Sequence, residues 1–411
     1  MKIIYISKSI IPSRSASGVN VMKMCQAFAA NGHQVTLLAR TRSRTKDDNV
    51  FQYYGVKPDF KIETFFESAS RLGKLWSVGW GFLSSIFNPR VPEKAIFKSV
   101  YGLKCWRFLS DLNDPPDLVY GRSAYGVYAA TRRGFCSVYE AHEPLANEST
   151  KRFERKILKS PYFKRLVVIS DALKKEYLKR FPFLEEDKVL VAPSGADTPD
   201  SERRKSPEIV NWPGRRDLLQ VGYVGALYRG KGMELISKLA PLLEDVDFHI
   251  VGGEEGDLKH WKEKVRQKNV YFHGFVPHGK LGSYYRKFDV VLAPFQKKVF
   301  IAPRNITAKW NINISRWTSP LKIFEYMAYG KPIVASGLPV VREVLKNEEN
   351  ALLCDPEDVR SWKASILRLE ESASLRRKLG TQAFKDLQNK YTWSRRAEKV
   401  IHGINCEKAQ D

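Results

Sequence analysis

The run Thr318-Ser-Pro-Leu-Lys-Ile-Phe-Glu-Tyr-Met-Ala-Tyr-Gly-Lys-Pro-Ile-Val-Ala-Ser336 carries the most structural information in the chain. Ser319 is placed to cap a helix, with Pro320 at the first helical position. Gly330 stops that helix, and Lys331-Pro332 leads into an apolar strand at 333–335. A helix start presents backbone N–H groups and the positive end of the dipole, a setting that suits a diphosphate. Pro320 has no N–H, so Leu321 and Lys322 are the donors there. Glu325 falls about two turns in, where a carboxylate can accept hydrogen bonds from ribose hydroxyls. The same residues also describe an ordinary capped helix followed by a strand, so local chemistry alone leaves both readings open.

Outward from this run the chain alternates strands and helices. In the first half, residues 2–6 read as a buried strand, 7–18 as a Ser/Pro/Gly loop, 19–30 as a helix with apolar spacing, and 35–39 as a second strand. Further strands are expected at 118–120, 137–140 and 166–169. A linker rich in Pro, Ser, Asp and Arg spans 193–216. A second series follows, with strands at 220–224, 247–251, 270–272, 290–293 and 333–335. The fold class is therefore α/β, with two successive parallel-sheet domains at residues 1–200 and 201–385. Such domains bind ligands at the carboxyl ends of their strands, which predicts a site in a central cleft.

Composition narrows the partners. At 411 residues the chain exceeds one ordinary core. No apolar run reaches the ~18–20 residues that a membrane-spanning helix needs, and the opening residues read as a strand rather than a signal peptide. The five cysteines show no Cys-x-x-Cys spacing, which suggests neither a disulfide framework nor a zinc site and fits a cytoplasmic location. The formal charge is +24; residues 1–200 hold 32 basic and 20 acidic side chains and the remainder 37 and 25, so the excess forms no tail. Such a field favours anionic lipid, phosphorylated or acidic glycans. No nucleic-acid motif accompanies it. Asp245-Val-Asp247 precedes a strand and reads as structural rather than metal-binding.

With these residues in view, the sequence resembles the retaining GT-B glycosyltransferases of the glycogen-synthase-like and mannosyltransferase-like group, group 1 of family four. That family has two Rossmann-like parallel-sheet domains facing a central cleft, and a terminal helix, here within 386–411, that crosses back to the first domain. The resemblance implies that Glu325 binds the nucleotide ribose, while the family's preceding motif Glu is Trp317 here. Tyr223-Val-Gly-Ala-Leu-Tyr-Arg-Gly-Lys-Gly232 resembles the family's phosphate loop, with Gly225 at its turn. Lys231 is implied to neutralise the leaving diphosphate, and Arg229 to replace an arginine that would fall at Ala226. Gly18 corresponds to the glycine loop that approaches the donor phosphate. His142, in Val138-Tyr-Glu-Ala-His-Glu-Pro144, corresponds to the histidine over the donor sugar. Ser319, Leu321 and Lys322 complete the implied nucleotide-sugar site.

The implied reaction is hexosyl transfer from a nucleoside diphosphate sugar to a glycan or lipid-linked acceptor, in cell-envelope or exopolysaccharide synthesis. No cofactor or metal is expected, because the cations can neutralise the diphosphate. A Glu140/Glu143 acid pair is disfavoured, since only residues two apart share a strand face. A nicotinamide dehydrogenase lacks its Gly-x-Gly-x-x-Gly loop in 7–18. A GT-B-shaped phosphorylase or nucleotide-sugar epimerase remains the alternative. Residues 65–112, with Trp76, Trp80, Phe82, Phe87, Trp106 and Phe108 among basic side chains, read as a docking region for an anionic membrane surface, and a domain core is the competing reading.

Overall fold

The computed structural model describes residues 1–42, 50–66, 100–144, 148–199, 210–300, 313 and 315–406. They form two compact units: Met1–Ile169 with Leu173–Ala192 and Ala397–Asp411, and Pro193–Arg396 with Ser170–Ala172.

The first unit is built on β1 (Lys2–Ile10), β2 (Gln34–Thr41), β3 (Lys61–Phe66), β4 (Leu118–Gly121), β5 (Ser137–Ala141), β6 (Phe163–Val168) and β7 (Val189–Val191). All pairings are parallel, in the order β3-β2-β1-β4-β5-β6-β7. The second unit carries β8 (Leu219–Val224), β9 (Val246–Val251), β10 (Val270–Gly274), β11 (Val290–Ala293), β12 (Ile333–Ser336) and β13 (Leu352–Cys354). Its order is β10-β9-β8-β11-β12-β13, again parallel throughout. β8 and β9 are buried at every position, as strands covered by helices on both faces must be. Their apolar runs are therefore continuous rather than alternating. On one face of this sheet Phe288 packs so closely over Gly222 that a Cβ there would lie 2.4 Å from the ring. On the other, Trp362 and Phe248 are fully enclosed.

Asp247, read as structural, is buried and meets Arg215 in a forked pair: Nε and Nη2 donate to Oδ1 at 3.0 and 2.7 Å, and the Arg215 amide to Oδ2 at 2.6 Å. The expectation of no disulfide is corrected. Cys136, just before β5, is bonded to Cys406 across 270 residues, with Cα atoms 5.7 Å apart. Local cysteine spacing cannot reveal a pair so distant in sequence. Arg165 of β6 holds the same terminal segment by donating to the carbonyls of Val400 and His402 at 3.1 and 3.0 Å. The second unit begins at Pro193 rather than 201, and the return to the first unit begins at Ala397 rather than 386.

The docking reading of 65–112 is also corrected where the chain is described. Trp106 lies on the inner face of the helix Val100–Ser110, buried, with Arg133 5.3 Å from its ring. Phe108 meets Phe65 edge-on at 6.5 Å. These rings pack within the domain because the helix turns its apolar face to the sheet. Trp76, Trp80, Phe82 and Phe87 lie outside the described residues. Among the described residues no helix is long and apolar enough to cross a membrane.

Arg215→Ala would leave the Asp247 carboxylate buried without its ionic partner. We expect a loss of about 3 kcal/mol in the unfolding of the second unit, read from urea denaturation. A loss below about 1 kcal/mol would show that the backbone amide alone suffices for this carboxylate.

Candidate active site

In the second unit β8 leads to β9 on one side, while β11 opens the other half of the sheet. The loops after β8 and β11 diverge at this point, which is where a doubly wound sheet offers a crevice. Gly225 follows β8 with φ 143°, a conformation that strongly favours glycine. A Cβ there would lie 3.0 Å from Lys322 Nζ.

The helix Leu321–Ala328 closes the crevice. Tyr326 fixes its register: its hydroxyl accepts from the Val224 amide at 3.0 Å and donates to the Leu292 carbonyl at 3.2 Å. One turn earlier on that face, Lys322 therefore points at the end of β8. Its ammonium sits 3.6 Å from the centroid of the Tyr223 ring and 5.3 Å from that of Phe295. Lys322 Nζ is buried and has no hydrogen-bond partner among the described residues. Lys231, on the loop after β8, lies 5.9 Å from the same Phe295 ring. Burial pushes Lys322 far below the usual lysine range, and the Lys231 charge pushes it further. Burial alone brings Lys231 down to about 8. Two lysine amines thus share an aromatic-walled recess in which burial disfavours the charged form of both, while ring faces compensate part of the hydration lost by whichever is protonated. An arriving anion would relieve the remainder.

Glu325 faces away from the lysines' rings. Its Oε1 accepts from His278 Nε2 at 2.6 Å and its Oε2 from the Tyr285 hydroxyl at 2.6 Å. Burial, followed by the nearby Glu325 charge, pushes the Tyr285 hydroxyl well up, so Tyr285 remains a donor. A carboxylate oxygen accepts hydrogen bonds and cannot donate, so the chemistry of Glu325 suits hydroxyl donors.

Four expected roles are revised. Ser319 does not cap the helix: Pro320 occupies that position, with no side-chain cap. The Ser319 hydroxyl instead accepts from the Ser194 amide at 2.9 Å, and its carbonyl from the Ser194 hydroxyl at 3.0 Å. Leu321 and Lys322 are then the first helical residues, and Glu325 lies about one turn in rather than two. Arg229 is exposed, with its guanidinium 5.4 Å over Phe300. Gly18, in the first unit, lies in a helix rather than in a loop. It sits in the first turn of the helix Ala16–Ala30, where its amide donates to Ser15, and a Cβ would come 2.7 Å from the Tyr54 hydroxyl. Glycine is required there for packing.

His142 follows the end of β5 in the first unit. Its Nε2 is 2.5 Å from Glu140 Oε1. Sequence reasoning missed Glu140, His278 and Tyr285. For Glu140 the signal was available, because alternation that separates 140 from 143 joins 140 to 142. His278 and Tyr285 come from a different strand-to-helix connection, and no spacing relates them to Glu325.

A family model described as Glycosyl transferases group 1 matches residues 205–386, and one described as Glycosyltransferase Family 4 matches residues 17–199. An uncharacterized glycosyltransferase of Methanocaldococcus jannaschii is 27% identical over 252 residues, 58% of this chain and 59% of that protein. TuaH of Bacillus subtilis, whose name assigns it to teichuronic acid biosynthesis, is 24% identical over 214 residues, 49% of this chain and 50% of TuaH. The matched stretches thus span about half to three-fifths of these relatives. HepE of Anabaena, solved with UDP and glucose, superposes with a TM-score of 0.65 at 15% identity, covering 97% of this chain and 98% of that one. That likeness shows the fold.

The lysine pair generates a pH prediction. A depressed lysine carries its charge below its folded pKa and loses it as pH rises through that value. Lys231, at about 8, is charged at neutral pH. Diphosphate affinity should fall by up to about tenfold per unit above pH 8, with proton uptake on binding. Calorimetry with UDP in buffers of different ionisation enthalpy measures both. An affinity that stays flat from neutrality to about pH 9.5 would show that neither lysine meets the anion.

Proposed function

We propose that this chain, which belongs to the GT-B group 1 glycosyltransferases, transfers a hexosyl group from a nucleoside diphosphate sugar to an acceptor hydroxyl with retention at the anomeric carbon. The observation that carries this reading is the desolvated lysine pair beside Glu325 at the switch point of the second sheet.

In this reading the diphosphate lies against Lys231 and Lys322, and the ribose hydroxyls donate to Glu325. The helix-start amides of Leu321 and Lys322 add to the positive potential. As the bond from C1 to the phosphate oxygen breaks, its electron pair stays on that oxygen and the diphosphate gains one negative charge where the lysines are already held. Their field needs no reorganisation at that moment, which is the main source of rate enhancement in such a site. The acceptor oxygen attacks C1 from the face that the diphosphate leaves, and its proton passes to the departing phosphate oxygen. His142 hydrogen-bonds a hydroxyl of the donor sugar and orients the ring. Two lysines supply the neutralisation that a divalent metal would otherwise give, so the reaction proceeds without metal.

The acceptor is a glycan or lipid-linked glycan of the cell envelope or an exopolysaccharide, reached from the cytoplasmic side by a peripheral enzyme. Support comes from the even basic charge, from the teichuronic acid assignment in the name of TuaH, and from the UDP and glucose bound by HepE. A phosphorylase would need inorganic phosphate as co-substrate, and an epimerase would invert a ring carbon without an acceptor. Product analysis by NMR separates both from transfer and reads the anomeric configuration.

Glu325→Ala should weaken nucleotide binding by about 2–3 kcal/mol, the scale of charge-assisted hydrogen bonds. Calorimetry on a folded variant that binds normally would remove ribose recognition from Glu325. Lys231→Ala should lower kcat by at least ~100-fold; a change confined to KM would leave it a binding role only. Activity should survive EDTA, and loss with rescue by Mn²⁺ would overturn the metal-free reading.

A further inference from the structure

We propose that Glu140 is the positioning residue for His142: its carboxylate holds the imidazole Nε2–H and thereby sets the ring's tautomer and orientation toward the donor sugar. The inference rests on the reading that His142 meets that sugar.

A carboxylate enclosed in a sheet costs several kcal/mol unless donors surround it. The Glu140 side chain is fully enclosed, hydrogen-bonded by two side chains and close to a third that is charged. The Tyr120 hydroxyl, on the adjacent strand β4, donates to Oε2 through a short hydrogen bond. His142 Nε2 lies 2.5 Å from Oε1, and Arg122 Nε lies 3.8 Å from the same oxygen. Arg122 is itself fixed, donating to Asn20 Oδ1 at 3.0 Å and to the Ser17 carbonyl at 3.4 Å.

The arrangement is directional. Residues 140 and 142 lie two apart, so their side chains leave the chain on the same side. Glu140 is still within β5, while His142 has passed the strand end and keeps a quarter of its side chain exposed. The rigid strand thus supplies the anchor and the exposed end supplies the working group. A carboxylate accepts only, so the shared proton sits on Nε2. This fixes the tautomer and raises the basicity of the other ring nitrogen, as second partners do for ligating histidines. Were Glu140 present only to neutralise Arg122, the guanidinium rather than the imidazole would be the closer partner.

The test uses the full chain labelled with ¹⁵N-histidine, with the His142 signals assigned by their loss in His142→Asn. The expected neutral ring carries its proton on Nε2 in the wild type and becomes a mixture of tautomers in Glu140→Gln. The same variant should lose about 10- to 100-fold in kcat, with UDP affinity and donor KM within about twofold. A wild-type ring protonated on Nδ1, or a folded Glu140→Gln with unchanged kcat, overturns the proposal. Should Glu140→Gln fail to fold, the wild-type tautomer decides. Full transfer by His142→Asn would instead overturn the role given to His142 and with it the catalytic consequence of Glu140, while the tautomer reports on positioning alone.

Discussion

A buried lysine amine with no hydrogen-bond acceptor among the described residues is the constraint around which the second unit is arranged. Lys322 Nζ is buried against the Tyr223 ring, and a charge in that position destabilises the folded chain until something negative arrives. The surroundings keep it there. Tyr326 pins the helix to β8 and β11, Gly225 leaves the volume that the ammonium occupies, and Lys231 adds a second charge that forbids the first from being ignored. Glu325 accepts from His278 and Tyr285, and its charge offsets part of the downward push on Lys322. The site separates its charges: cations where phosphate is expected, a carboxylate where hydroxyls are.

Much of this was legible in the sequence because it depends on local periodicity. The strand at 220–224 and its neighbours could be read from apolar runs, since parallel strands are apolar on both faces. The placement of Lys322 and Glu325 on one short helix could be read from the run at 318–336, whereas Lys231 was implied only by the family resemblance. The errors have a common physical origin. Ser319 had a better partner at Ser194, 125 residues away, than the helix it precedes. Gly18 is dictated by the Tyr54 hydroxyl, which no local pattern announces. His278 reaches Glu325 from 47 residues upstream. Side chains select partners in three dimensions, and a motif lists only the near ones.

The two sheets show how a single topology serves different chemistry. Both place a central strand beside one reached by a crossover, in the orders β3-β2-β1-β4 and β10-β9-β8-β11. In the first unit the ends of β4 and β5 carry a buried carboxylate, Glu140, met by Tyr120, Arg122 and His142. In the second, the loop after β8 and the helix Leu321–Ala328 carry desolvated lysines. The two parallel sheets share a topology around their switch points, and the side chains at the strand ends distinguish them.

The first unit is discontinuous in sequence: its sheet is complete by Val191, yet it also contains Ala397–Asp411, which Arg165 and Cys136 hold. Chains emerge from the ribosome amino end first, and domains fold as units as they appear. Apart from Ser170–Ala172 the second unit is one unbroken stretch, so its folding can finish while the first still lacks its last helix. The domain made first is therefore the one completed last, and the residues that close it follow directly on the last residues of the second unit.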